Sequence, residues 1–127
     1  MLLFPWFPLV LARMALAIAA IGIAVLALMP APEVPVTTAW DKLDHWLAFF
    51  TLALLAEHAF PQQPFWRRIA LWVVAYGVGI EMVQWFIPDR DANLMDVLAD
   101  GIGTASFGAV RQVVAVLVRS SDRNSLA

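Results

Sequence analysis

Four apolar segments, each about as long as a bilayer is thick, constrain this chain more than any other feature. They cover approximately residues 9–29, 41–60, 65–87 and 93–118, and short connectors rich in proline or polar residues separate them. A transmembrane helix needs about 20 apolar residues. Because helices joined by short loops are antiparallel neighbours, the pattern predicts an all-α polytopic membrane protein, a bundle of four transmembrane helices.

The composition argues against a soluble domain. Hydrophobic residues make up 62% of the chain and charged residues 14%, whereas about 25% of a typical soluble domain is charged. A chain of 127 residues cannot bury so much apolar surface, since a small domain hides only about two-thirds of what its unfolded chain exposes. The net charge of −2 argues against a nucleic-acid partner, and the absence of cysteine excludes disulfides.

The first segment has a second interpretation as a cleaved signal peptide. Its first twelve residues carry no Lys or Arg. The apolar stretch after Arg13 is also longer than the roughly 7–15 residues of a signal-peptide core. We therefore expect the segment to remain as a transmembrane helix.

The basic residues predict an orientation. If the N-terminus is cytoplasmic, only Lys42 and Arg90 lie on the outer side of the membrane, which satisfies the positive-inside rule. Both termini are then cytoplasmic. Residues 1–118 are predicted to form one membrane domain, and residues 119–127 a polar cytoplasmic tail. The basic residues placed inside are Arg13, Arg67, Arg68, Arg111, Arg119 and Arg123.

This topology brings polar residues from three segments to the outer face. The start of the second segment, the end of the third and the start of the fourth all reach that face. We expect their polar side chains to form one outward-facing site. The candidate residues are Asp41, Lys42, Asp44, His45, Glu81, Gln84, Arg90, Asp96 and Asp100.

Helical spacing and depth single out several of these candidates. Asp41 and His45 are four residues apart and share a helix face, as do Asp96 and Asp100. Glu81 lies about 9 Å from the end of its segment at 1.5 Å per residue. Acidic residues inside a membrane are rare and mark functional sites by default. Glu81, Asp96 and His45 are therefore the candidate catalytic residues, and the others are candidate binding residues.

Helix capping is the competing interpretation for residues near the helix starts. It accounts better for Asn93 and is an equal alternative for Asp41. It does not explain Glu81 or Asp100, which lie inside their segments. A purely structural network of ion pairs is a further alternative.

The spacing does not specify one chemistry. Carboxylates with one histidine can ligate Mg²⁺ or Ca²⁺, or act as a general acid–base pair. No His-Glu-x-x-His or glycine-rich phosphate motif occurs in the sequence. Glu57 and His58, at the other end of the second segment, are interpreted as interfacial residues.

At these residues the sequence resembles the VanZ-like family of small integral membrane proteins. The motifs are DKLDH at the head of the second segment, EMVQ late in the third, and RDANLMDVLADGIG over the last loop and fourth segment. At Asp100 the family more often carries asparagine. The family's polar residues correspond by position to Asp41, Lys42, His45, Glu81, Gln84, Arg90 and Asp96.

The resemblance implies a multi-pass protein of the bacterial inner (cytoplasmic) membrane and cell envelope, with a family link to resistance against the glycopeptide antibiotic teicoplanin. We expect the site to bind or modify a lipid-linked or polar headgroup, with Lys42, His45 and Arg90 recognising anionic groups. Its partners would be membrane lipids or lipid-linked envelope precursors. The alternatives are a membrane enzyme using Glu81 or Asp96, a small transporter or proton-coupled channel, and a structural assembly module.

Overall fold

A computed structural model of the chain describes residues 8–29, 41–88 and 92–125. No strand occurs in these ranges, so the all-α prediction is confirmed for the described residues. A π-helical turn leads into the third helix. The elements are α1 (Leu9–Leu28), α2 (Asp41–Ala59), the π-helical turn (Phe65–Ile69), α3 (Ala70–Gln84) and α4 (Leu94–Ser125).

Prolines explain several of the helix boundaries. Pro8 precedes α1 in an extended conformation, with φ −61° and ψ 136°. α1 ends before Met29, whose ψ of 147° is also extended, because the residue that precedes a proline disfavours the helical conformation. Pro64 stands in the same way before the π-helical turn.

α4 is longer than the sequence analysis predicted. It has 32 residues and runs to Ser125, whereas we expected the apolar segment to end near Val118. Neither glycine nor proline occurs after Gly108, so nothing in the chain breaks the helix there. Most of the predicted polar tail is therefore helical. At 1.5 Å per residue, α4 is about 48 Å long and exceeds the roughly 30 Å hydrocarbon core of a bilayer.

α1 packs against both α2 and α3. The Arg13 side chain donates from Nε to the carbonyl of Ala59 at 3.2 Å, which joins the start of α1 to the end of α2. Gln84 donates from Nε2 to the carbonyl of Ala27 at 2.8 Å, which joins the ends of α3 and α1. α1 is therefore antiparallel to α2 and parallel to α3, as the alternating order of segments requires.

α2 and α4 run parallel and approach each other closely. Their contacts advance together, from Trp46 beside Gly103 to Phe50 beside Phe107, whose ring centroids are 5.6 Å apart. A Cβ on Gly103 would collide with the carbonyl oxygen of Trp46 and lie 3.1 Å from the backbone nitrogen of Phe50. The expectation that Gly103 lets a neighbouring helix approach is confirmed.

The hydrophobic core lies toward the end of α2, beside the π-helical turn. Its aromatic members pack edge to face: the Phe65 and Phe107 ring centroids are 5.4 Å apart at an interplanar angle of 62°. The buried core residues are Phe49, Leu52, Ala53, Ala56, Phe65, Ile69, Ala70, Val73 and Phe107.

Large apolar side chains cover the outside of the bundle. Ile18 of α1 is 68% exposed, Trp72 of α3 73% and Val116 of α4 61%. Among the described helices, Leu9–Leu28 and Leu94–Ser121 are long and apolar enough to cross a membrane. α2 carries charged residues at both ends, and α3 has only 15 residues. The two long helices and the exposed apolar surface indicate a membrane protein.

Candidate functional site

Three helices bring charged side chains together at one end of the bundle. α2 contributes Lys42 and His45 from its first two turns, α3 contributes Glu81 from its last turn, and α4 contributes Asp96 and Asp100. We refer to these five residues as the polar cluster. Lys42 and His45 share a helix face because they are three residues apart, and Asp96 and Asp100 do so because they are four apart.

One ion pair and two contacts of His45 with carboxylates join α2 to α4 within the polar cluster. Lys42 donates from Nζ to Asp96 Oδ1. His45 lies with Nδ1 2.9 Å from Asp100 Oδ1, and with Nε2 3.8 Å from Asp96 Oδ2. The Lys42 side chain is 47% exposed, whereas that of Asp100 is 3% exposed. The cluster thus extends from an accessible rim to a buried floor.

Glu81 completes the polar cluster from α3. Its Oε2 accepts a hydrogen bond of 2.8 Å from the backbone N–H of Asn93. Its Oε1 is buried and has no hydrogen-bond partner within the described part of the chain. One potential ligand atom from each of His45, Glu81 and Asp96 lies within 4.8 Å of the other two. An imidazole nitrogen and two carboxylate oxygens at this spacing can hold a metal ion or share a proton.

Gly77 and Thr104 shape the space around Asp100. A Cβ on Gly77 would lie 2.6 Å from Asp100 Oδ2 and 2.9 Å from the Phe49 ring. Thr104 is 1% exposed, and its hydroxyl donates to the Asp100 carbonyl at 2.9 Å. A glycine on α3 therefore makes room for a carboxylate on α4.

Gln84 and Asp44, two of the predicted binding residues, are described and are not among the five residues of the cluster. Gln84 is buried, but its amide donates to the carbonyl of Ala27 and so faces α1. Asp44 is half-buried at the same end of α2, outside the group formed by the three ligand atoms. Arg90 and the side chain of Asp41 lie outside the described residues.

Asn93 caps α4, as the sequence predicted. Its side-chain oxygen accepts a 2.9 Å hydrogen bond from the backbone N–H of Met95. Its own backbone N–H is the donor to Glu81. The cap therefore joins the start of α4 to the end of α3, next to the polar cluster.

The prediction that Glu57 and His58 are interfacial is wrong. Each is only 3% exposed. Glu57 Oε1 accepts from Arg111 Nε, and the guanidinium carbon of Arg111 lies 5.7 Å from the centroid of the Phe65 ring. Glu57 Oε2 is buried without a hydrogen-bond partner among the described residues. A second buried charged group, the Glu57–Arg111 pair, thus lies toward the other end of the bundle.

Helical spacing contained a signal for this second group. Glu57 follows Trp46 by eleven residues, and Arg111 follows Asp100 by the same number. Eleven residues are about three helical turns at 3.6 residues per turn. Both side chains therefore lie on the faces that α2 and α4 turn toward each other.

A cavity of about 520 Å³ lies between α1, α2 and α3, away from the polar cluster. Its lining is mainly apolar. Arg68 and Gln63, which also line it, are joined by a hydrogen bond of 2.6 Å. The polar cluster does not line this cavity, so it is a separate feature. The lining residues are Leu16, Ala20, Leu52, Ala56, Phe60, Gln63, Arg68, Ile69, Trp72, Val73 and Tyr76.

Comparison with known proteins agrees with the sequence resemblance. Neither the curated proteins nor the solved structures include a match to the chain. The VanZ/LLP1 family model matches residues 6–111. This stretch contains α1, α2, α3, the polar cluster and the Glu57–Arg111 pair. The chain belongs to the VanZ/LLP1 family.

Proposed function

We propose that this chain is a multi-pass protein of the bacterial inner membrane, and that its polar cluster binds the polar headgroup of a membrane lipid or lipid-linked envelope precursor. All four helices cross the membrane in this proposal. α2 has 19 residues, and Phe65–Gln84 is continuously helical. Each of these helices is about 30 Å long, which is enough to span the hydrocarbon core.

The distribution of basic residues supports an outward-facing polar cluster. Lys42 belongs to the cluster, whereas Arg13, Arg67, Arg68 and Arg111 lie toward the opposite end of the bundle. The positive-inside rule assigns the arginine-rich end to the cytoplasm. A headgroup in the outer leaflet would then lie level with Lys42.

Three buried carboxylates in one cluster are the observation that carries the proposal. Glu81, Asp96 and Asp100 are each less than a tenth exposed. Ionisable groups at membrane depth are costly in free energy and generally belong to functional sites. Because Lys42 is about half exposed, the cluster is open at its rim to a ligand that lies in the membrane.

Packing deeper in the bundle supports a closed pocket and argues against a transport path. Phe49 is 2% exposed and Phe107 is fully buried. These rings lie between the polar cluster and the Glu57–Arg111 pair. Tightly packed aromatic rings between two charged groups act as a barrier to water and ions, which favours headgroup binding over the transporter and channel alternatives.

Native mass spectrometry of the full chain, extracted from bacterial membranes in mild detergent, tests the proposal. The wild type and Glu57→Gln should retain a phospholipid or a lipid-linked precursor, and Glu81→Gln should lose it. Both substitutions replace a buried carboxylate by its amide, but only Glu81 belongs to the polar cluster. Equal retention by all three proteins would overturn the proposal.

The family resemblance adds a second readout. If the headgroup belongs to a lipid-linked cell-wall precursor, expression of the wild-type protein in a susceptible Gram-positive host should raise the minimum inhibitory concentration of teicoplanin. Expression of Glu81→Gln should not. An unchanged inhibitory concentration with the wild type would exclude the precursor and leave membrane lipids as the ligand.

A further inference from the structure

We propose that His45, Glu81 and Asp96 bind one divalent cation that accepts both nitrogen and oxygen ligands, Mn²⁺ or Zn²⁺. The cation would contact an anionic oxygen of the headgroup. This last step rests on the proposed function, whereas the cation site rests on the geometry of the polar cluster alone.

The spacing of the ligand atoms fits one shared ion. The three atoms lie within 4.8 Å of one another, and His45 Nε2 is 3.8 Å from Asp96 Oδ2. Ligands about 2.0–2.2 Å from the same ion lie about 3.3–3.6 Å apart in tetrahedral geometry and at most about 4.4 Å apart. Small side-chain rotations are therefore enough to close the site around an ion.

Asp100 contacts His45 in the way that a carboxylate orients a metal-ligating histidine. An ionised carboxylate only accepts hydrogen bonds. With Asp100 ionised, the 2.9 Å contact between Asp100 Oδ1 and His45 Nδ1 therefore requires the ring hydrogen on Nδ1. Nε2 then carries the free lone pair, and it lies 3.8 Å from Asp96 Oδ2. Metal-ligating histidines almost always donate their other ring N–H to a carboxylate, a carbonyl or water in this way.

Glu81 supplies an independent indication of a ligand. The residue is 7% exposed, and its Oε1 has no hydrogen-bond partner within residues 8–29, 41–88 and 92–125. Its other oxygen is held by the backbone of Asn93. A buried polar atom without a partner is destabilising. A cation beside Oε1 satisfies that atom, and the hydrogen bond from Asn93 holds the carboxylate in place.

The charge of the polar cluster favours a dication. When the His45 ring is neutral, the described part of the chain sets three carboxylates of the cluster against a single ammonium group, that of Lys42. The ammonium contacts Asp96 Oδ1 and leaves Glu81 Oε1 without a partner. A second, doubly charged cation compensates the excess of negative charge within the described cluster.

The mixed ligand set selects the class of cation. Mg²⁺ and Ca²⁺ prefer oxygen ligands alone. Imidazole suits Zn²⁺, whereas carboxylates suit Mn²⁺. Three protein ligands also leave coordination positions open for water or a headgroup oxygen.

Metal binding to the full chain in detergent, without added lipid, tests the site. The protein is stripped of metal with a chelator and titrated with Mn²⁺. The electron paramagnetic resonance signal of the free ion measures how much Mn²⁺ stays unbound. Zn²⁺ is measured by elemental analysis after gel filtration. The wild type and Glu57→Gln should bind one ion per chain, and Glu81→Gln and Asp96→Asn should lose that ion. Absence of stoichiometric binding, or unchanged binding by Glu81→Gln, would overturn the proposal, as would a preference for Mg²⁺.

Asp100→Leu removes the acceptor that holds His45 Nδ1 and keeps all three ligands. It should weaken binding by about 10–100-fold, the usual effect of losing the residue that orients a ligand. Unchanged affinity would overturn the positioning role of Asp100. Gel filtration and circular dichroism confirm that each variant is folded.

The two proposals fail separately. Metal binding without lipid retention would refute headgroup binding and leave the cation site standing. Lipid retention without metal binding would refute the cation site and leave headgroup binding standing.

Discussion

Asp100 of α4 holds the imidazole of His45 on α2, with 2.9 Å between Asp100 Oδ1 and His45 Nδ1. The two residues are 55 positions apart in the chain. A third helix packs against this contact, because α3 approaches Asp100 at Gly77. The geometry of the polar cluster therefore depends on residues that carry no charge.

Gly77→Ala should destabilise the protein and displace Asp100. The added Cβ would lie 2.6 Å from Asp100 Oδ2 and 2.9 Å from the Phe49 ring, and overpacking of this kind costs about 1–3 kcal/mol. Gly79→Ala is the matched control, because a Cβ there has no neighbour within 4 Å. Thermal melting in detergent should show a lower midpoint for Gly77→Ala alone. Equal midpoints for the two variants would contradict the close approach of α3.

Gly103→Ala should separate α2 from α4. A Cβ at this position meets the backbone of Trp46 and Phe50, which cannot move aside as a flexible side chain can. Gly101→Ala, on the same helix, places its Cβ in open space. We expect Gly103→Ala to lower the melting temperature and weaken metal binding, since His45 is next to Trp46 in α2. If Gly101→Ala has the larger effect, the helices do not pack as described.

The four helical segments were predictable from sequence because length and apolar character are properties of the segments themselves. The convergence of His45, Glu81 and Asp96 followed from the alternating direction of the helices and from their 3.6-residue period. The functional roles assigned to these residues stay predictions.

The rotation of each helix about its axis was not predictable, because it depends on packing. Gln84 is three residues from Glu81, a rotation of about 300° at 100° per residue. The remaining difference of about 60° is enough for Gln84 to face α1 while Glu81 faces the polar cluster. Glu57 was misplaced for a related reason: its position near the end of α2 suggested an interfacial location, but its side chain faces Arg111 of α4 and is buried.

Reporter fusions test the orientation of the bundle. A fusion after Gln62, between α2 and α3, should report a cytoplasmic location, and a fusion after Ala92, before α4, a periplasmic one. The arginines near the first site and the positive-inside rule give this expectation. The opposite pair of results would place the polar cluster at the cytoplasmic face and exclude an outer-leaflet ligand.

The Glu57–Arg111 pair leads to a prediction about stability. Arg111→Met removes the partner of a carboxylate whose side chain is 4% exposed, and loss of one partner from a buried pair costs about 3–5 kcal/mol in soluble proteins. Arg119→Met, on an exposed part of α4, is the control and should melt like the wild type. Adding Glu57→Leu to Arg111→Met should recover much of the lost stability, because the double variant leaves neither member of the pair as an unpaired buried charge. If Arg111→Met melts like Arg119→Met, Glu57 does not depend on Arg111 for compensation, and the pair is not a stabilising element of the fold.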